Sequence, residues 1–64
     1  MIEPLTPREK SIVKLLGQGM HPAAIAPTLG LKLSSVRLYI SRIREKTGLK
    51  MREIAVKAAR GELG

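Results

Sequence analysis

Residues 22–47 read PAAIAPTLGLKLSSVRLYISRIREKT. Ile25, Ala26 and Leu29 make the apolar side of a short helix over about 22–29, which Gly30 ends. Leu33, Val36, Ile40, Ile43 and Thr47 then recur at three- and four-residue steps, so they share one face of a longer helix over about 33–47. The opposite face carries Ser34, Arg37, Leu38, Ser41, Arg42 and Glu45, with Arg44 and Lys46 on its flanks. A short helix, a tight turn containing glycine and a longer amphipathic helix define a helix-turn-helix. Pro27 is the awkward residue. It removes the hydrogen bond to the Ala23 carbonyl and crowds that turn, so a kink or a partly 3₁₀ segment is expected.

Two further helices flank this core. Upstream, Thr6 is a good N-cap, Pro7 suits the first helical position and Glu9 completes a Thr-x-x-Glu capping box. Ile12, Val13 and Leu16 follow at helical spacing, with Leu15 beside them, which predicts a helix over 7–18 ended by Gly19. Gly17 lies inside it and should cost about 1 kcal/mol relative to alanine. Downstream, Gly48 closes the long helix and a fourth covers about 51–60. Met51, Ile54, Ala55 and Ala58 cluster on one of its sides; Val56, Ala59 and Leu63 cluster on another. One side must face the core and the other is left for a partner. The last residues, with Gly61 and Gly64, should fray. The expectation is an all-α fold of four helices in one domain over residues 1–64.

Composition narrows the chemistry. With 64 residues the chain buries only about 60% of its unfolded surface. It has no cysteine for disulfides, and its lone histidine, His21, cannot build a zinc site. Absent cysteines fit a cytoplasmic location. The net charge is +7 and the isoelectric point about 10.7, a balance suited to a polyanionic partner. From Lys32 onward stand nine of the twelve basic residues, so nearly all the excess lies in the second half. One tyrosine and no Phe or Trp argue against single-strand binders that stack bases on aromatic platforms. No apolar run approaches the roughly 18 residues of a membrane span, and no signal-peptide layout opens the chain. The five carboxylates are scattered, no phosphate-binding glycine loop is present, and neither an enzyme, a cofactor, a metal nor a small-molecule ligand is expected.

Arginine can pair bidentately with guanine, and serine hydroxyls bond bases or phosphates. The basic outer face of the third helix therefore suits the major groove of double-stranded DNA. Ser34, Arg37, Leu38 and Ser41 are the candidate base contacts. The cations on and around this face, Lys32, Arg42, Arg44 and Lys46, are candidate phosphate contacts.

Leu5-Thr6-Pro7-Arg8-Glu9, Leu15-Leu16-Gly17-Gln18-Gly19-Met20, Ile25-Ala26, Leu29-Gly30-Leu31, Ser35-Val36-Arg37 and Ile43-Arg44-Glu45-Lys46-Thr47-Gly48-Leu49 together resemble the LuxR-type (GerE-type) helix-turn-helix. The resemblance covers almost the whole chain without a gap. It implies a four-helix domain whose third helix lies in the major groove, with base-contacting positions on Arg37, Leu38 and Ser41 and phosphate-contacting positions on Ser35, Tyr39, Arg42, Arg44 and Lys46. It also implies a homodimer contact through the fourth helix, so Met51, Ile54, Ala58 and Leu63 are the candidate dimer or partner face. The chain carries no sensor part ahead of the motif. That fits a stand-alone regulator, like the small spore-type members, or the C-terminal part of a longer protein. Five positions depart from the pattern: His21 and Lys32 stand where Ser-like caps are usual, Ala23-Ala24 replace a polar pair, and Pro27 is unexpected. His21 is expected to be an exposed or satisfied side chain rather than a ligand or pH switch. These changes leave open a regulatory protein partner, as for an antiactivator, with Ala23, Ala24, Leu33, Ile54 and Leu63 as its contacts. The promoter-reading C-terminal region of sigma factors begins with a similar Pro-Arg-Glu helix, but the ending at 43–49 and the fourth helix favour the LuxR type.

Overall fold

Thr6 starts the first helix as its spacing requires. In the computed structural model, which describes residues 4–63, its hydroxyl accepts from the Glu9 N–H at 3.3 Å. The Glu9 carboxylate in turn accepts from the Thr6 N–H at 2.8 Å. This closed capping box opens α1, Pro7–Gly17. The other helices are α2, Pro22–Leu29, α3, Leu33–Thr47, and α4, Met51–Ala59. Gln18 and Arg60, expected inside α1 and α4, are their C-caps. Met1, Ile2, Glu3 and Gly64 lie outside the described residues, and with them the fraying expected of Gly64. No strand occurs among the described residues.

The turn between α2 and α3 is built by Gly30, at φ 68° in the left-handed region. The Gly30 N–H donates to the Pro27 carbonyl at 3.2 Å and the Leu31 N–H to the Ala26 carbonyl at 2.7 Å. That pair of bonds is a Schellman motif, which satisfies the last carbonyls of α2 and sends the chain off toward α3. A side chain at position 30 would strain this backbone.

The structure decides one half of the expectation for Pro27, the 3₁₀ segment. α2 runs as a continuous α-helix through Pro27, with no 3₁₀ segment. Pro27 withholds a donor from the carbonyl of Ala23, but Ala23 and Pro27 both face solvent, where water can take that bond. The start of α2 is capped by His21, whose Nδ1 accepts from the Ala23 N–H at 3.1 Å.

The expected apolar faces meet in one core. Ile12, Val13 and Leu16 of α1 pack with Ile25 and Ala26 of α2, with Val36, Ile40 and Ile43 of α3, and with Ile54 of α4. Each fully buried Ile or Val contributes about 1.5–3 kcal/mol. α1 packs most extensively against α4 and α2 against α3, so the helix-turn-helix rides on the α1–α4 pair. At Gly17 the backbone of α1 lies directly against α4: a Cβ there would lie 2.8 Å from the Ala58 Cβ and 2.9 Å from the Ala58 carbonyl carbon. The helix-propensity cost of Gly17 is thus the condition for this crossing.

That crossing decides which side of α4 is free. Ile54 is fully buried, and Met51, Ala55, Ala58 and Leu63 pack partly buried against the core. The expected partner face of Met51, Ile54, Ala58 and Leu63 is therefore largely the core-facing side of the helix. Its exposed apolar surface is instead Val56, 44% accessible, with Ala59.

Candidate nucleic-acid interface

α3 is 15 residues long, or roughly 22 Å at 1.5 Å per residue. Val36, Ile40 and Ile43 anchor it in the core. The opposite face then has no choice but to point outward. Ser34, Arg37, Leu38, Ser41, Arg42 and Arg44 are all exposed, and Ser35 and Tyr39 are half-buried at the edges of the face. Leu38 is 53% accessible, an apolar side chain held in water in the middle of a polar face. Lys32 precedes the helix as its N-cap residue, exposed, with no side-chain capping bond because an ammonium has no acceptor. The Ser34, Arg37, Leu38 and Ser41 side chains thus share one surface, flanked by Lys32, Arg42 and Arg44.

Lys46 does not join them. Its Nζ lies 2.7 Å from Glu9 Oε1, and its side chain is 18% exposed against 2% for Glu9. The ammonium expected on a phosphate is turned inward, onto the capping box of α1. Burial alone would raise the Glu9 pKa. The hydrogen bond from Lys46, those from the Thr6 backbone and side chain, and the Lys46 charge outweigh burial and hold the carboxyl below its ordinary value of 4.5. A group depressed in this way stabilises the fold fully above its unfolded pKa, and that contribution is lost as pH falls through the lower folded value. Urea unfolding measured stepwise from pH 6 to pH 3 should therefore show stability falling from about 4.5 downward, with Glu9→Gln lacking this component. A variant with the parent's pH profile would mean that Glu9 is not the group responsible.

The remaining described carboxylates leave the face positive. Glu53 accepts from the Lys50 N–H at 3.0 Å at the start of α4. Glu62 lies 3.5 Å from Lys57 at its far end. Only Glu45 stands on α3 itself. Among the described residues no group of three or more His, Asp or Glu could hold a metal, and no helix is long and apolar enough to cross a membrane.

Three features escaped the reading of the sequence: the Glu9–Lys46 pair, the capping role of His21, and an open cleft beside α3 lined by Arg8, Tyr39 and Arg42. The first had a signal. Glu9 stands three, four and seven residues before Ile12, Val13 and Leu16, on their buried stripe, where a carboxylate needs a cation.

Residues 3–59 match the family described as bacterial regulatory proteins, luxR family. The chain is 43% identical over 53 residues to the transcriptional regulatory protein DesR of Bacillus subtilis, covering 83% of this chain and 27% of that one. It is 42% identical over 53 residues to the probable transcriptional regulator ycf29 of Pyropia yezoensis, covering 83% and 24%. Against the nitrate/nitrite response regulator protein NarL of Escherichia coli K12 it is 37% identical over 51 residues, covering 80% and 24%. The chain thus spans about a quarter of the length of the curated relatives it matches. No solved structure matches.

Proposed function

The chain belongs to the luxR family of bacterial regulatory proteins, and from that premise we propose that it is a sequence-specific double-stranded DNA-binding transcriptional regulator with α3 in the major groove. The observation that carries this reading is the outward face of α3, where Ser34, Arg37, Leu38 and Ser41 lie between exposed Lys32, Arg42 and Arg44. A helix about 10–12 Å across fits a groove about 12 Å wide. Arg37 is positioned to pair with a guanine edge, Leu38 to meet a thymine methyl, and the serines to bond base edges. Lys32, Ser35, Tyr39, Arg42 and Arg44 meet phosphates on either side. The relatives' names as transcriptional regulators support the same reading. Its place of action is the cytoplasm, and its mode is binding without catalysis.

A homodimer fits the outer side of α4, where Val56 and Ala59 are the apolar residues left exposed. A C2 dimer reads two half-sites about one helical turn apart.

Selection of bound sequences from a random duplex pool at stated salt tests these points together. Enriched sites should contain paired half-sites at fixed spacing. Arg37→Ala should weaken the preferred site about 5- to 150-fold, equivalent to about 1–3 kcal/mol, and relax preference at one base position. Arg44→Ala should weaken all duplexes alike and lower the salt slope by about one. If both variants bind every duplex as the parent does, α3 is not the reading helix. A second reading has its own support: Ala23, Ala24 and Pro27 give α2 an exposed face of small apolar side chains. Absence of duplex affinity at low salt, with a tight protein complex, would favour a protein-binding regulator.

A further inference from the structure

We propose that the first turn of α1 is a second phosphate-binding element, in which Arg8 grips the DNA backbone beside the strand held by Tyr39 and Arg42. The inference rests on the DNA-binding reading of α3 and adds a contact from a different helix. Tyr39, Arg42 and Lys46 stand at i, i+3 and i+7 on one flank of α3. Across from them, the N-cap Thr6 and Arg8 and Ser11 of α1 complete a cleft of about 840 Å³.

The charges in this cleft do not cancel. Its carboxylate, Glu9, is buried and already paired with Lys46 at 2.7 Å. Ser11 donates to the Pro7 carbonyl at 3.1 Å, and the Thr6 oxygen accepts from Glu9. That leaves the exposed guanidinium groups of Arg8 and Arg42 and the hydroxyl of Tyr39. None of the three has a hydrogen-bond or ion-pair partner among the described residues. Two guanidiniums and a phenol that share a cleft, with no acceptor among the described residues, suit one phosphodiester. Arg8 is also misplaced by local physics. It lies in the first turn of α1, where the helix dipole disfavours a cation and favours an anion. An anion from outside reverses that sign.

The geometry of a groove-bound helix supplies that anion. With the Ser34–Arg37–Leu38–Ser41 face toward the bases, each flank of α3 meets one phosphate backbone. Arg42 belongs both to the outer face and to the cleft, so the backbone it meets continues over Arg8.

The test is duplex binding by fluorescence anisotropy over a salt series, using a site selected from the random pool and a scrambled duplex. Arg8→Ala should lose affinity several-fold for both duplexes. Its slope of log K against log salt should shrink by about 0.9, the value of one neutralised phosphate. Arg8→Lys should keep the slope. Lys10→Ala is the control: Lys10 lies on α1 but lines a different cleft, toward α4, and its removal should leave the slope unchanged. No variant should melt below the parent. A parent slope in Arg8→Ala, with Arg42→Ala reduced, would overturn this contact and leave α3 as the reader. Equal losses in Arg8→Ala and Lys10→Ala would also overturn it, as a net-charge effect. A parent without duplex affinity would remove the DNA reading and this contact together.

Discussion

Glu9→Ala should destabilise the protein by about 3 kcal/mol, enough to unfold much of a domain this small at ambient temperature. Three interactions end at that carboxylate. It accepts the Thr6 N–H, it accepts from Lys46, and it opposes the Lys46 charge. Removing one partner of a buried pair costs about 3–5 kcal/mol because the other charge is stranded. The lower end applies here, since Lys46 is 18% exposed and can swing its ammonium toward water. Lys46→Ala strands Glu9 instead, whose side chain is 2% exposed. The two single variants and the double variant form a cycle that isolates the coupling. Urea unfolding followed by circular dichroism is the measurement. If Glu9→Ala stays within about 0.5 kcal/mol of the parent, the range of an ordinary surface substitution, the pair does not hold α1 to α3.

Gly17→Val should cost a similar amount by another route. The first added carbon would meet the Ala58 Cβ at 2.8 Å, the Ala58 carbonyl carbon at 2.9 Å and the Ala59 nitrogen at 3.0 Å. Two of these are backbone atoms, so α4 can yield only by moving as a body. Overpacking of this kind costs about 1–3 kcal/mol, and the two further methyl groups of valine enlarge the clash. A total near 3 kcal/mol corresponds to a fall in Tm of roughly 12–24 °C at about 4–8 °C per kcal/mol for a small domain. Gly17→Ala should be milder, because alanine recovers about 1 kcal/mol of helix propensity. Adding Ala58→Gly should rescue it only in part, since it removes the contact at 2.8 Å and leaves the one at 2.9 Å. A Gly17→Val protein that melts with the parent would show that α4 is not held by this crossing.

Local chemistry in the sequence was enough to place the helices. Thr6 with Glu9, Gly30 and Gly48 mark helix ends through bonds that span only a few residues. The stripe of Val36, Ile40 and Ile43 sets which face of α3 is buried and so which residues point outward. Long-range pairings were harder. Glu9 was legible as a cap, but its partner Lys46 is 37 residues away, and no local pattern links them. α4 offered two apolar sides of similar strength. The choice between them depends on the Gly17–Ala58 approach, which appears only when α1 and α4 are packed. Arg8 was passed over for the same reason: it is far in sequence from Tyr39 and Arg42 and next to them in space. His21 shows a limit of residue-type reasoning, since a neutral imidazole nitrogen accepts a backbone N–H as a serine hydroxyl would.

The tie between Glu9 and Lys46 also sets how the molecule opens. The first turn of a helix is ordinarily a low-stability region that frays without disturbing the rest. Here that turn is fastened to the last turn of α3, so the end of one helix cannot loosen without the other. In amide hydrogen exchange the two should therefore behave as one cooperative unit. The Lys10 N–H, bonded to the Thr6 carbonyl at 2.9 Å, should then exchange on the timescale of the core rather than of a chain end.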